Sequence, residues 1–456
     1  MSKALVIGGG PNGLAAAITL AAKGQSVILL EAQCTLGGRC AVLDDTATVQ
    51  PWAVEALGLD VEWTDAAPVV HATSTGNHTI DAEDPGVAAW FAEVATFAPL
   101  VRELSASAPP DIRVGAAWTR LLGSALPMLK LGRAKGLELA RIGPLCAEDW
   151  LDESGIDRST QAALIAPALL GTWMGPRSPT SALAVLFHHA LSGQEIEGGM
   201  ERLLNALVRR ANGAGVDIRT EARVVRIIVE EGRAVGVILD DGAEMRADAV
   251  LSTIGLKRTM FGLVGHRALP VGLDTAVETV RNRGVVAQWR ATTSAPLFGG
   301  AERVVLVDDT MALERAFDDA KHRRLPSRPA MLIRQQGETL NALVFGAAHD
   351  LDGGWTDEAK IALQKTILDT LGERDDASLI SNAELITPAD LESTLGLDGG
   401  HLFHGEFALD QFLSFRPHPM MSGYCSGIDG LWLGGAGMHP AGGFTLGQGV
   451  LAAGRV

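Results

Sequence analysis

The run "ALVIGGGPNGLAAAITLAAKGQSVILLEA" near the start of the chain leaves few folds open. Ala4 to Ile7 reads as a strand, and Leu14 to Lys23 as an Ala/Leu-rich helix. Between them Gly8, Gly10 and Gly13 stand in the spacing G-x-G-x-x-G. The first glycine permits a tight turn, the second lets a pyrophosphate reach the backbone, and the third lets helix pack on strand. The helix N-terminus then faces the anion. A second strand, Ser26 to Leu30, ends in Glu31, where a carboxylate can accept hydrogen bonds from ribose hydroxyls. This order predicts an α/β chain with a Rossmann-type first unit; glycines that merely shape a close turn would not need the terminal acid.

Glu31 favours an unphosphorylated ribose, which NAD and FAD share, so the motif leaves both open. Gly37, Gly38 and Arg39 in "TLGGRCAV" follow closely. Arg39 beside two glycines either approaches a phosphate or a flavin, or is a surface Arg on an ordinary loop.

With 456 residues, 47% of them hydrophobic and 20% charged, the chain is expected to fold as two joined domains. A formal charge of −16 without a compensating Lys/Arg run argues against nucleic acid as a partner. Cys34, Cys40, Cys146 and Cys425 are scattered, which predicts neither a metal site nor a disulfide framework and fits a reducing cytoplasm. With a strand already read from Ala4 to Ile7, no cleaved leader is expected. The longest nearly uncharged run, "AALIAPALLGTWMG" from Ala162 to Gly175, is shorter than a bilayer span and contains Pro167. A soluble or peripheral protein is the expectation.

Gly198 to Gly255 reads as an amphipathic helix, a strand, a hairpin turning at Glu231 and Gly232, and a last strand from Ala249 to Thr253. Near the far end, "GIDGLWLGGAGMHPAGGFTLGQGVLAAG" gives a strand from Leu431 to Leu433, a glycine loop from Gly434 to Gly443, and a helix beginning near Thr445. Backbone N–H groups in such a loop can lie close to something flat or anionic, and the helix N-terminus can stabilise negative charge. Alternatively, the glycines pack a terminal helix on the sheet.

Together the segments "GGGPNGLAAAITLAAKG", "LGGR", "GGMERL … EEGRAVGV", "FHGEFALDQFLSFRP" and "GLWLGGAGMHPAGG" resemble the phytoene desaturase and retinol saturase branch of the flavin amine oxidase superfamily. Within it they are most similar to the phytoene-desaturase-like group called pyridine nucleotide-disulfide oxidoreductase domain-containing protein 2. The resemblance implies a two-dinucleotide-binding-domain flavoprotein fold with FAD as cofactor. Gly8, Gly10, Gly13, Glu31, Gly38 and Arg39 would take the adenosine and pyrophosphate side, Val224 would lie against the adenine, and Gly435, Gly437, Gly442 and Gly443 would lie near the flavin. The FAD domain would be discontinuous, over 1–67, 198–255 and 424–456. Segments 68–197 and 256–423 would build an inserted α+β substrate domain, the first mainly helical and the second alternating strands with helices.

One departure is visible. After "GGR" the chain passes quickly to "QPWAVEALGLDVEW", where relatives carry a longer glycine- and aromatic-containing stretch, so the roof over the flavin is expected to differ. No second G-x-G-x-x-G follows a strand, which argues against a dedicated NAD(P)H domain. Electrons are then expected to pass to oxygen, a quinone or another protein.

The substrate side offers fewer signals. Arg120 to Arg141 carries five basic residues and one acid, Glu138, and 118–143 is expected either to contact an anionic membrane or to be a solvated helix face. Reactive candidates gather in "HLFHGEFALDQFLSFRPHP": His401, His404, Glu406, Asp410, Gln411 and Arg416. His404 and Glu406 would relay a proton or anchor a polar end of the substrate, and His439 in the glycine loop is expected near the flavin; each has a packing role as its rival. Flavin desaturation asks little acid/base chemistry of a protein beyond positioning and water exclusion. The leading expectation is FAD-dependent desaturation, saturation or isomerisation at C–C bonds of an apolar, lipid-like or isoprenoid small molecule. The expected location is the cytoplasm, with peripheral attachment to the inner face of the membrane. An amine oxidase is the alternative, although the one tyrosine, Tyr424, rules out a two-tyrosine cage for the amine. A flavin-binding assembly or chaperone protein without turnover is the third.

Overall fold

The computed structural model describes residues 2–41, 48–112, 131–441, 443 and 446–456. Five parallel strands form the first sheet, in the order Leu431–Leu433, Ala249–Ser252, Lys3–Ile7, Ser26–Leu30 and Asp217–Arg219. Their inner members are continuous apolar runs because both faces are covered. Leu5, Val6, Leu29 and Leu30 are all buried. The helix Pro11–Ala22 packs beside both the helix Gly199–Gly213 and the terminal helix Gly447–Ala453. Chain order reverses on either side of Lys3–Ile7, so the strand that feeds the glycine turn sits at the topological switch point, where open α/β sheets bind ligands. A three-stranded antiparallel sheet, Glu244–Arg246, Arg233–Leu239 and Val224–Glu230, adjoins it. Its tight hairpin has Glu231 and Gly232 both at positive φ, as a two-residue turn between twisted strands requires.

The second large sheet has seven strands, ordered Ile380–Ile386, Val286–Thr293, Thr339–Phe345, Ala330–Gln336, Arg303–Leu306, Val69–Thr73 and Gly76–Thr79. All neighbours are antiparallel except Arg303–Leu306 with Val69–Thr73. Alternation along these strands splits the apolar side chains between two cores. One face, with Val305, Leu332 and Leu343, packs against the helices Arg158–Leu169 and Ser181–Leu191. The other, with Val304, Ile333 and Val344, packs on the helix Asp357–Gly372. The architecture is therefore a parallel nucleotide-type sheet joined to an antiparallel sheet with helices on both faces. A short ribbon, Trp63–Asp65 with Gln194–Ile196, connects the two regions.

The apolar run from Ala162 begins inside the buried helix Arg158–Leu169, and no helix among the described residues is long and apolar enough to cross a membrane. Residues 118–130, half of 118–143, lie outside the described residues. The described end forms the helix Arg133–Ile142, where Leu137 is exposed and Arg141 pairs with Glu138 and Glu153, both at 2.6 Å.

Candidate functional site

The first glycine turn is shaped by backbone contacts. Gly8 donates to the Leu30 carbonyl (2.9 Å), tying the turn to the next strand. A Cβ on Gly13 would stand 1.9 Å from the Gly8 carbonyl oxygen, so no other residue fits there. Gly10 caps the helix Pro11–Ala22 with no side-chain hydrogen bond, and Pro11 gives up no donor at the first helical position. Beside it a Cβ on Gly10 would meet nothing closer than 3.9 Å. Unsatisfied helix N–H groups beside open volume are what a pyrophosphate requires.

Glu31 is buried at the end of its strand, and its carboxylate accepts from the N–H groups of Gly9 (2.6 Å) and Gln33 (2.8 Å). These bonds orient the group while leaving it lone pairs for ribose hydroxyls. Ala222 donates to the Glu31 carbonyl (2.8 Å), which sets Val224, two residues on, beside the same strand end. From the other side Gly37 donates to the Gly9 carbonyl (3.0 Å), and Gly38 packs over Gly10. The guanidinium of half-buried Arg39 lies 4.9 Å from the centre of the Phe403 ring. Gly8, Gly10, Gly13, Glu31, Gly38, Arg39 and Val224 thus converge on one edge of the parallel sheet.

The second glycine loop arrives at the same edge. Gly434 donates to the Ser252 carbonyl (2.8 Å), and a Cβ on Gly435 would lie 2.7 Å from the Thr253 carbonyl oxygen. Gly437 passes the backbone of His404, and Gly443 faces Phe403, whose ring a Cβ would approach to 2.4 Å. Gly442 and Thr445 lie outside the described residues. Gly449, in the helix that follows the loop, packs on Asn12 and donates to its side chain (3.3 Å), so the helices behind the two glycine segments are neighbours.

Segment 401–416 runs beneath this loop, held by Arg416. That side chain is 1% exposed and donates to the carbonyls of Gly405, Glu406, Gln411, Ala436 and Met438. Burial lowers its pKa to about 10, which leaves it charged at neutral pH. The Glu406 carboxylate is taken up by Arg283 through Nε (2.7 Å), a terminal nitrogen (2.8 Å) and the backbone N–H (3.0 Å). Despite burial, the Arg283 guanidinium and N–H hold it below the usual carboxylate range, and Arg283 in turn stacks on Trp173 at 4.2 Å. Asp410 binds Arg281 at 2.6 and 2.9 Å, and Gln411 bonds both the N–H and the carbonyl of Arg281. These three side chains brace the segment.

The histidines differ. His401 accepts from the N–H groups of Phe403 and Gly405 through Nδ1, which places its proton on Nε2. His439 bonds the Leu104 carbonyl through Nε2 (2.9 Å), and its own carbonyl accepts from the buried Tyr424 hydroxyl (3.0 Å). His404 stands at φ +57°, a backbone strain found at ligand sites. Burial pushes His401 and His439 to about 4. Burial together with Arg39, His401 and Arg416 pushes His404 to about 3. All three are neutral near pH 7, and the Nδ1 atoms of His404 and His439 have no hydrogen-bond partner among the described residues. They offer hydrogen bonds near the glycine loop; a proton shuttle would need a pKa nearer the working pH.

Phe403 also lines a cavity of about 580 Å³ between the antiparallel sheet and the helices Arg158–Leu169 and Ser181–Leu191. The volume suits a lipid-sized ligand. Its walls are largely aliphatic and aromatic, with Leu164, Phe187, Leu332, Leu343 and Phe407 among them. Polar groups include Arg303 and Arg334, Glu195, and the histidines His188 and His189, both held neutral chiefly by burial. None of these residues stands out from the motifs. The one sequence signal is an Arg at an inward alternation position of an otherwise apolar strand, as in "RVVL" and "AMLIRQQ".

Residues 3–270 match the model of the FAD binding domain family. The chain is 29% identical over 385 residues to pyridine nucleotide-disulfide oxidoreductase domain-containing protein 2 of Rattus norvegicus, covering 74% of this chain and 66% of that protein. It thus spans slightly less than two thirds of that relative's length. Phytoene desaturase (lycopene-forming) of Pseudescherichia vulneris is 27% identical over 97% of this chain and 96% of its own. Among solved structures, cyclohexylamine oxidase from Brevibacterium oxydans superposes with a TM-score of 0.58 at 15% identity, over 100% of this chain and 97% of that one.

Proposed function

Because this chain belongs to the FAD-binding-domain family, on its phytoene-desaturase-like branch, we propose that it is an FAD-dependent oxidoreductase acting on C–C bonds of an apolar, lipid-like substrate. The uncapped helix at Gly10 and the Gly13 close approach fit a pyrophosphate, and Glu31 fits a ribose. Bound FAD supplies the two-electron redox centre for desaturation, saturation or isomerisation. The observation that carries the substrate reading is the apolar chamber, which meets the nucleotide region at Phe403.

The protein's own share of the chemistry is placement. Phe403 and Phe407 present an apolar wall that excludes water, which suits a reaction needing no strong base. Neutral His404 and His439 hold polar atoms at the glycine loop, while Arg416 fixes that loop to the segment carrying Phe403. Amine oxidation is the weaker reading although the fold is shared with amine oxidases. Tyr424 is buried with its hydroxyl on His439 and is not among the residues that line the chamber, so it cannot face an amine there. The proposal extends to oxygen, a quinone or a protein as electron acceptor. It also places the protein in the cytoplasm with peripheral membrane attachment, for which the exposed Leu137 offers an apolar contact.

Anaerobic titration of the FAD-loaded protein separates these readings. Bleaching of the oxidised flavin band by a detergent-dispersed lipid extract, and not by a panel of amines, is the expected result. Bleaching by an amine alone would overturn it.

A further inference from the structure

Two histidines stand side by side near the end of the helix Ser181–Leu191, and the fold makes use of only one of them. His189 donates from Nε2 to the Leu164 carbonyl (2.8 Å), which ties its helix to Arg158–Leu169, and its ring meets those of Trp90 and Phe91 edge-on. Its place is accounted for by packing. His188 lines the chamber, and neither of its ring nitrogens has a hydrogen-bond partner among the described residues. Burial is what chiefly acts on it, followed by His189 and Arg303, and these keep the ring uncharged. Arg303 itself donates to the Ala67 carbonyl (3.3 Å) and pairs with Glu195 (3.5 Å), not with the ring.

An imidazole left unpaired inside an apolar enclosure weakens a fold, because it has given up water and gained no partner. Phe187, the residue before it, lines the same chamber without that cost. One turn further on, Ser192 also lines the chamber. Its N–H donates to the His188 carbonyl (2.9 Å), and its hydroxyl has no partner among the described residues. Within one turn the chamber is thus offered a ring donor, a ring acceptor and a hydroxyl. Phe187 touches Phe407 (ring centres 5.8 Å apart), so the helix with these open groups also carries a contact to the aromatic wall near Phe403 and the nucleotide region.

We infer that His188, together with Ser192, binds a neutral oxygen function, a hydroxyl or a carbonyl, on the apolar substrate and so fixes where along the chamber the chain is held. The inference rests on the proposed apolar-substrate reading and adds the polar group of that substrate. An uncharged ring offers hydrogen bonds and no charge, so the group it suits is itself uncharged. A hydroxyl both gives and takes a hydrogen bond, which the ring and the serine match together, whereas a carbonyl only takes one.

The test is displacement of the neutral probe N-phenyl-1-naphthylamine from FAD-loaded protein by 1-octanol, 2-octanone and 1-chlorooctane, each below its solubility limit, in the unaltered protein and in His188→Leu. The leucine fills a similar volume and cannot hydrogen-bond. At least one of the two oxygen-bearing chains should need about a tenfold higher concentration in His188→Leu, while 1-chlorooctane displaces as before. Which of the two loses more identifies the head group. His188→Gln, which keeps a donor and an acceptor, should restore most of the loss. Ser192→Ala, a small change at the helix end, should weaken the same chain severalfold and decides the matter if His188→Leu does not fold. Unchanged displacement by both oxygen-bearing chains in the His188 and Ser192 variants overturns the inference and leaves the apolar chamber standing. Weakening of 1-chlorooctane to the same extent means that His188 only shapes the wall, and overturns it too. Failure of every chain to displace the probe overturns the chamber reading as well.

Discussion

Lowering the pH from 7 to 5 should unfold this protein through its histidines before its carboxylates are involved. His189, His401 and His439 are pushed to about 4 by burial, and His404 to about 3. An unfolded histidine titrates near about 6.5. Because the folded values are depressed, the unfolded chain binds more protons throughout the interval between them, and stability falls as pH falls from about 6.5 to about 4. At pH 5 each of the four has lost about 2 kcal/mol relative to neutral pH, or roughly 7 to 8 kcal/mol together, comparable with the whole stability of many domains. Carboxylates held low by Arg partners, such as Glu148 and Glu406, are depressed in the same direction, so they too lose their contribution as pH falls, but only in the carboxylate range and below it. Urea unfolding at half-unit pH steps, followed by tryptophan fluorescence, measures the slope. The structure predicts uptake of about three to four protons on unfolding near pH 5.5. An uptake below one proton, or stability flat from pH 7 to 5, would refute the claim that these imidazoles are buried and neutral.

Gly13→Ala should give folded protein that retains little FAD, measured as the ratio of flavin to protein absorbance after gel filtration, since the new Cβ would collide with the Gly8 carbonyl. Glu406→Gln should cost about 1 to 2 kcal/mol in urea unfolding, because it removes the charge from hydrogen bonds to an Arg283 that is itself 45% exposed; a fall in turnover without loss of stability would instead make Glu406 a chemical participant. Arg416→Lys should loosen the glycine loop, since an ammonium cannot reproduce a planar fork on five carbonyls. Weaker FAD retention measures it, and unchanged retention would contradict the clamp.

The nucleotide half of this fold is legible in sequence because its determinants are local. A strand, three glycines at fixed spacing, a helix and a terminal acid lie within Ala4 to Glu31, and two of them are fixed inside that stretch: Gly13 by the Gly8 carbonyl and Glu31 by the Gly9 N–H. Val224 and the far glycine loop required family resemblance as well, since only sheet pairing brings Ala249–Ser252 and Leu431–Leu433 beside the first strand. The segment from His401 to Arg416 was conspicuous as a set of polar residues, yet their roles depend on distant partners. Glu406 is defined by Arg283, and His439 by Leu104 at the end of a helix far away in sequence. The chamber is the least legible part. Its wall comes from strands and helices scattered between Val69 and Phe407, and an inward Arg on a short strand resembles an ordinary exposed one until the register is known.

A chamber-blocking variant tests the central claim most directly. Ala184 is buried in the chamber wall, on the helix Ser181–Leu191. Ala184→Phe should fill part of the volume while leaving the glycine turns untouched. The rate of anaerobic flavin reduction by the active lipid fraction should then fall by an order of magnitude or more, with FAD content and dithionite reduction as in the unaltered protein. Reduction by that fraction at an unchanged rate would mean that the substrate reaches the flavin by another route, and the account built on the chamber would be wrong.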